Sequence, residues 1–104
     1  MSRHETGDVT IRMGKEIDNM FTSLEVLDTK MRGYTLDPRD FPRPDYERQS
    51  DLILNYERSR ADGWNNDLRF KYDRLLEKRA VYENIWIRWC DEARIEYFKP
   101  GNKI

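Results

Sequence analysis

The chain of 104 residues has very little of the cysteine and histidine from which many catalytic and metal sites are built. It contains one cysteine, Cys90, and one histidine, His4, which lies close to the N-terminus. A lone cysteine excludes a disulfide within the chain and a metal site made of several cysteines. A single histidine beside the terminus does not suit a catalytic triad. We therefore predict a protein that is not an enzyme and that has no catalytic residues, no metal site and no cofactor.

Long apolar runs and a strong net charge are also missing. No apolar run exceeds three residues, whereas a membrane-spanning helix needs about 20. The N-terminal residues lack the apolar core of a signal peptide. The 19 basic and 20 acidic residues nearly balance, so the whole chain is not attracted to nucleic acid or to an anionic membrane. We expect a soluble, cytoplasmic protein in a reducing compartment that does not contact membranes.

The composition combines much charge with many aromatic residues. Charged and apolar residues each make up 38% of the chain, and aromatic residues make up 12%. A domain of this size with so few apolar residues has a small core, but its aromatic content argues against disorder. Long helices with aromatic seams and charged outer faces reconcile these facts. We predict a single all-α domain over residues 1–104, either an elongated helical hairpin or a three-helix bundle.

The first predicted helix covers about residues 9–32 and has the most regular pattern in the chain. Its apolar residues are spaced four and three apart in alternation: Met13, Ile17, Met20, Leu24, Leu27 and Met31. This heptad spacing predicts coiled-coil-like packing. The pattern is shorter than three heptads, so an ordinary amphipathic core helix stays an alternative. Gly33 stands where a helix C-cap is expected.

Residues 33–44 form a proline-rich connection. Pro38, Pro42 and Pro44 remove backbone donors and push the preceding residues into extended conformations. We predict a stiff strap between helices 1 and 2, followed by a second helix over about residues 45–62. Asp62-Gly63 either breaks that helix or is tolerated inside one longer helix; the Asn-Asn-Asp sequence that follows favours a break.

The third predicted helix is long, over about residues 66–97, and Pro100-Gly101 places a C-terminal loop at residues 98–104. Residues at alternating spacings of four and three define a second seam: Leu75, Arg79, Tyr82, Trp86, Trp89 and Ala93. The charge of Arg79 inside this seam needs a partner. Glu83 is the nearest candidate, with Glu25 or Asp28 as alternatives. We predict that Arg79 and Glu83 set the register of helix packing.

A second apolar stripe lies away from this seam on the same helix, formed by Phe70, Val81, Ile85 and Ile95. A surface helix in a small monomer is expected to be polar there. Two apolar stripes indicate two burial partners, so we predict a homo-oligomer or a complex with another protein at these four residues. Scattered exposed apolar residues are also normal on protein surfaces, which is the simpler alternative.

Four basic residues, Arg69, Lys71, Arg74 and Lys78, lie along one side of the third helix with aromatic residues between them. Cations one turn apart can follow phosphates, and aromatic rings can stack on bases. Acidic residues in the same turns instead indicate a solvated helix face. The leading hypothesis is therefore a non-enzymatic helical protein–protein interaction module that self-associates, acting in assembly, as an adaptor or as an inhibitor. The alternative is a small helical protein that binds nucleic acid or a nucleotide through this basic stripe.

Overall fold

The computed structural model describes the backbone of residues 2–98 and the side chains of residues 8–98. Within this part the fold is all-helical and has no strand. The helices are α1 (Ser2–Leu36), α2 (Tyr46–Leu54), α3 (Tyr56–Ser59) and α4 (Asn66–Ala93). Apart from Phe98, the predicted C-terminal loop lies outside the described residues. None of the helices in the described part combines the length and apolarity that crossing a bilayer requires.

The helices run up, down and up along an elongated molecule of 55 × 28 × 18 Å. α1 and α4 are parallel, because contacts between them advance together along both helices, from Asp18 with Lys71 to Arg32 with Trp89. α2 and α3 run in the opposite direction, from the C-terminal end of α4 back toward its N-terminal end. Tyr46 at the start of α2 packs near the C-terminal end of α4, and Tyr72 donates a hydrogen bond to the carbonyl of Ile53 near the end of α2.

The hydrophobic core lies along the lines where the helices meet. Its fully or nearly fully buried apolar residues come from all four helices: Met13, Ile17, Leu24, Leu27, Met31, Tyr46, Ile53, Tyr56, Leu68, Tyr72, Leu75, Trp86 and Cys90. Five of the six residues in the predicted seam of α1 are in this set, and Met20 packs against it. Large aromatic rings provide much of the buried area, as expected for a core with so few apolar residues.

Helix α1 is longer at both ends than the predicted range of 9–32. It begins at Ser2 and runs through Gly33 to Leu36. Gly33 does not end the helix, and the Phe41 ring packs beside it, 3.3 Å from an ideal Cβ position. Buried Thr35 also donates its hydroxyl to the Met31 carbonyl at 2.9 Å. The helix stops just before Asp37, since the residue preceding a proline disfavours helical geometry.

The predicted second helix at 45–62 is instead two shorter helices. Asp45 caps α2 by accepting from the backbone amide of Arg48. At Asn55 the side-chain amide donates to the Asp51 carbonyl and competes with the regular helix ladder. The chain is not helical over residues 60–65, where the sequence favoured a break. Gly63 adopts φ +93° there, and the Thr10 hydroxyl donates to its carbonyl at 3.0 Å.

Helix α4 begins at Asn66, capped by Asn65, but ends at Ala93 and not at the predicted residue 97. Arg94 takes a left-handed conformation with φ 58°, and the Ile95 amide donates to the Cys90 carbonyl at 2.8 Å. This turn directs residues 95–98 back across the molecule. Tyr97 then stacks on Tyr46 with ring centroids 4.6 Å apart. The helix therefore stops four residues earlier than predicted, and Ile95 and Tyr97 pack against the core.

The buried line of α4 departs from the predicted seam by one residue in its second half. Glu83 and Cys90 are buried, whereas Tyr82 and Trp89 are only half-buried. An α-helix has 3.6 residues per turn, so a strict seven-residue repeat drifts around a straight helix unless the helices supercoil. The buried line of α4 steps four residues, from Arg79 to Glu83, where the predicted seam steps three, from Arg79 to Tyr82. This longer step removes the drift.

Candidate interaction surface

The most distinctive surface is the side of α4 that points away from the core, which we call the outer face. Its residues repeat at alternating spacings of four and three along five turns, and all six are exposed: Phe70, Arg74, Glu77, Val81, Asn84 and Arg88. The α4 residues that build the core lie on the opposite side. The inner face of this helix is mainly apolar and packs in the core. The outer face carries both apolar and charged residues and is exposed to solvent.

The structure divides the four residues that were predicted to form an interface. Phe70 is 65% exposed and Val81 is 57% exposed, both on the outer face. Ile85 and Ile95 are half-buried and pack against the chain's own core. They are therefore partly covered by the chain itself, and their place in an interface stays a prediction. Ile85 lies on the flank of α4, and Ile95 belongs to the segment that turns back after Arg94.

Two charged residues lie between the exposed apolar side chains of the outer face. The Arg74 guanidinium stands 5.7 Å from the centroid of the Phe70 ring. Neither Arg74 nor Glu77 forms an ion pair with any side chain that the structure describes. Both are exposed, so a charged group on another molecule can reach them.

The other members of the predicted basic stripe have partners in the same chain. They form ion pairs that join α4 to α1 and to α3. The pairs are Arg69 with Glu57, Lys71 with Asp18 at 2.8 Å, and Lys78 with Glu25 at 3.4 Å. The Arg69 guanidinium also lies over the Trp64 ring at 4.5 Å. The four basic residues are thus not brought together as one free row of cations.

Arg79 and Glu83 do meet, in a largely buried position between α4 and the returning C-terminal segment. Nη1 of Arg79 lies 3.5 Å from Oε2 of Glu83, and the Tyr97 hydroxyl donates to the same carboxylate oxygen at 3.3 Å. Burial, followed by the nearby Glu83 charge, raises the pKa of Tyr97 strongly. Of the three partners considered for Arg79, the structure selects Glu83. Its role in setting register stays a prediction.

Three polar contacts between distant parts of the chain were not anticipated from the sequence. Buried Trp86 donates its indole N–H to Asp28 at 2.8 Å. At the other end of the molecule Glu16 accepts from the Tyr56 hydroxyl at 2.7 Å and from Arg60 at 2.5 Å. Burial and the bond to Glu16 raise the pKa of Tyr56 to about 12. The partners are far apart in sequence, so no local pattern could reveal them.

An open groove of about 680 Å³ lies between α1 and the connection to α2. The exposed side chains of Val26 and Phe41 contribute apolar surface, and Lys30 and Asp45 contribute opposite charges on its rim.

Reactive chemistry has little support among the described side chains. Cys90 is buried, and burial raises the pKa of its thiol despite the opposing effect of Arg43. A less acidic, inaccessible thiol is a poor nucleophile. Within residues 8–98 no three histidine, cysteine or acidic side chains lie close enough together to hold a metal ion.

Comparisons with known proteins provide no relative for this chain: no protein-family model, no curated protein and no solved structure matches it. The functional argument therefore depends on the side chains and their contacts.

Proposed function

We propose that this protein is a non-enzymatic helical interaction module that self-associates through the outer face of α4. Its role in the cell would be assembly, adaptor or inhibitory binding. The observation that carries this proposal is the exposure of Phe70 and Val81, at 65% and 57%, on a helix whose opposite side already builds the core. Covering such side chains removes apolar surface from water, which is the main favourable term in most protein association.

Contacts within the chain support this reading over the alternative one. Binding of nucleic acid or a nucleotide needs several cations that can turn to phosphates. Arg69, Lys71 and Lys78 are each engaged by a carboxylate of the same chain. Phosphate binding stays a prediction that no observed contact favours.

Two finer features of the architecture belong to the same proposal. We propose that residues 37–45 act as the strap predicted from the prolines, because Phe41 packs on Gly33 and Pro44 is buried. We also propose coiled-coil-like packing of α1 on its neighbours over Met13 to Met31, where heptad-spaced residues are buried. A strap and a long parallel pair of helices would hold α4 rigid while its outer face stays open.

Sedimentation equilibrium of a double variant tests the proposed function. Wild-type chain should sediment as 12.7 kDa at low concentration, with a mass that rises toward a dimer as concentration increases. Phe70→Ser with Val81→Ser should remain monomeric, because it removes the exposed apolar side chains of the outer face. Circular dichroism should show that this variant keeps its helix content.

A matched control replaces two equally exposed apolar residues on other helices, Ile11 and Leu52, at 61% and 54% exposure. The Ile11→Ser, Leu52→Ser variant should associate like wild type. The proposal is wrong if wild-type chain stays monomeric at about 1 mM, or if the Phe70 and Val81 variant associates as strongly as wild type.

A further inference from the structure

We propose that a second copy of this chain docks antiparallel on the outer face of α4, with Phe70 against Val81 of the second copy and Arg74 against Glu77 of the second copy. This inference rests on the proposed self-association and specifies its geometry. It assigns Arg74 and Glu77, which no interface prediction included, as the residues that select the orientation.

The order of residues on the outer face carries the argument. Phe70 and Val81 lie equally far from the point midway between Arg74 and Glu77. A twofold axis through that point exchanges Phe70 with Val81 and Arg74 with Glu77. Each apolar side chain then meets an apolar one, and each cation meets a carboxylate. Such self-complementarity is what an isologous interface between two identical subunits requires.

The opposite orientation lacks this match. In a parallel pair with the same register, Arg74 would face Arg74 of the second copy, and Glu77 would face Glu77. Like charges at such positions are destabilising. The antiparallel pair instead places two cation–carboxylate contacts between two apolar contacts, so charge complementarity and apolar burial favour the same register.

Contacts within one chain leave these groups available. Arg74 and Glu77 form no ion pair with a described side chain, in contrast to Arg69, Lys71 and Lys78. Arg74 also stands over the Phe70 ring, which holds its charge beside the proposed apolar contact. An arginine placed over an aromatic ring keeps its donors free at the edge of the guanidinium plane.

The size of the surface sets the expected strength. In this register the two copies of α4 overlap from Asn66 to Ile85, about 29 Å at 1.5 Å per residue, and the contact is one helix wide. This is smaller than the roughly 800 Å² per partner that stable complexes usually bury. We therefore expect weak association, and the experiments need concentrations of about 0.1 to 1 mM.

Complementary charge reversals test the register. In Arg74→Glu both positions 74 and 77 are acidic, and in Glu77→Arg both positions are basic. Each single variant should lose about tenfold or more in its self-association constant, since two attractive contacts become repulsive. An equimolar mixture of the two variants should regain wild-type association, because every contact in the mixed dimer is again between opposite charges.

The double variant Arg74→Glu, Glu77→Arg should also associate like wild type, because the swap keeps both contacts attractive. Arg58→Glu, an exposed position on α3, is the matched control and should leave the association constant unchanged. Thermal unfolding and circular dichroism should show that all variants fold alike. The mass of each sample and of the mixture would be measured by sedimentation equilibrium.

The outcomes separate this inference from the proposed function. If wild-type chain associates but the single variants do so equally well, or the mixture does not recover, the antiparallel register is wrong while self-association stands. If wild-type chain is monomeric at about 1 mM, self-association fails and this inference fails with it. Loss in both single variants, with recovery in the mixture and in the double variant, supports the proposed register.

Discussion

The inner and outer faces of α4 both include large apolar side chains, but they differ in what covers those side chains. On the inner face Trp86 is fully buried and its indole donates to Asp28 of α1. On the outer face Phe70 is exposed, and Arg74 and Glu77 have no ion-pair partner among the described side chains. The comparison teaches that residue type alone does not decide which side chains of this helix are buried. Coverage by the rest of the chain does.

Truncation on each face should separate folding from association most strongly. Trp86→Ala should lower the free energy of unfolding by about 3–5 kcal/mol, because it leaves a large cavity and an unpaired Asp28. Val81→Ala should change it by less than about 0.5 kcal/mol in the monomer, since Val81 is exposed. Urea unfolding at low protein concentration measures both changes. Similar losses in the two variants would contradict the division between the faces.

A pair of glycines tests the packing that supports the inner face. An ideal Cβ on Gly63 would meet Val9 at 2.6 Å and Met13 at 2.8 Å, and the backbone there has φ +93°. Gly63→Ala should therefore destabilise the fold by about 2–4 kcal/mol through strain and overpacking.

Gly14→Ala is the matched substitution in α1. Its nearest contact would be Leu68 at an ordinary 3.8 Å, so alanine should stabilise this helix by about 0.5–1 kcal/mol. Thermal unfolding of the two variants should show melting temperatures that move in opposite directions. A stabilising Gly63→Ala would show that residues 60–65 do not pack on α1 as described.

Alkaline pH should weaken the contacts of the buried tyrosines before it affects the outer face of α4. Burial and the bond to Glu16 raise the pKa of Tyr56 from 10 to about 12. The folded state therefore favours the neutral phenol. The raised pKa of Tyr56 contributes about 2–3 kcal/mol to the free energy of unfolding. This contribution is fully present below pH 10 and is lost as pH rises to 12.

Urea unfolding between pH 9 and 12 checks this expectation. Tyr56→Phe should be less stable than wild type at pH 8, because Glu16 loses a donor, but its stability should fall less steeply above pH 10. Tyr46, Tyr72 and Tyr97 also have raised pKa values, so some alkaline loss should remain. An equally steep fall in the variant would exclude Tyr56 as a contributor.

Local signals in the sequence were sufficient for much of the fold. The heptad spacing of Met13 to Met31 identified the buried side of α1, and the predicted start of the second helix, residue 45, immediately precedes the observed start of α2 at Tyr46. These features depend on neighbouring residues, so they can be read directly. The end of α1 was predicted too early, because glycine is a common C-cap residue, whereas the helix passes through Gly33 to Leu36.

The candidate interface was also predictable only in part. Helical periodicity placed Phe70 and Val81 away from the core, where they lie. Ile85 and Ile95 are half-buried against the chain's own core, and Ile95 lies in the segment that turns back at Arg94. The partners of Arg69, Lys71 and Lys78 also come from other helices. A sequence pattern gives the side of a helix, but it does not give what lies against that side.

The most direct test of the central claim is an isotope-filtered nuclear Overhauser measurement on a mixture of labelled and unlabelled wild-type chain. Phe70 and Val81 are about 16 Å apart along α4 in one chain, so contact between them must come from two chains. The account predicts intermolecular effects between the Phe70 ring and the Val81 methyl groups. A dimer with intermolecular contacts elsewhere, or only between Phe70 rings of the two copies, would contradict it.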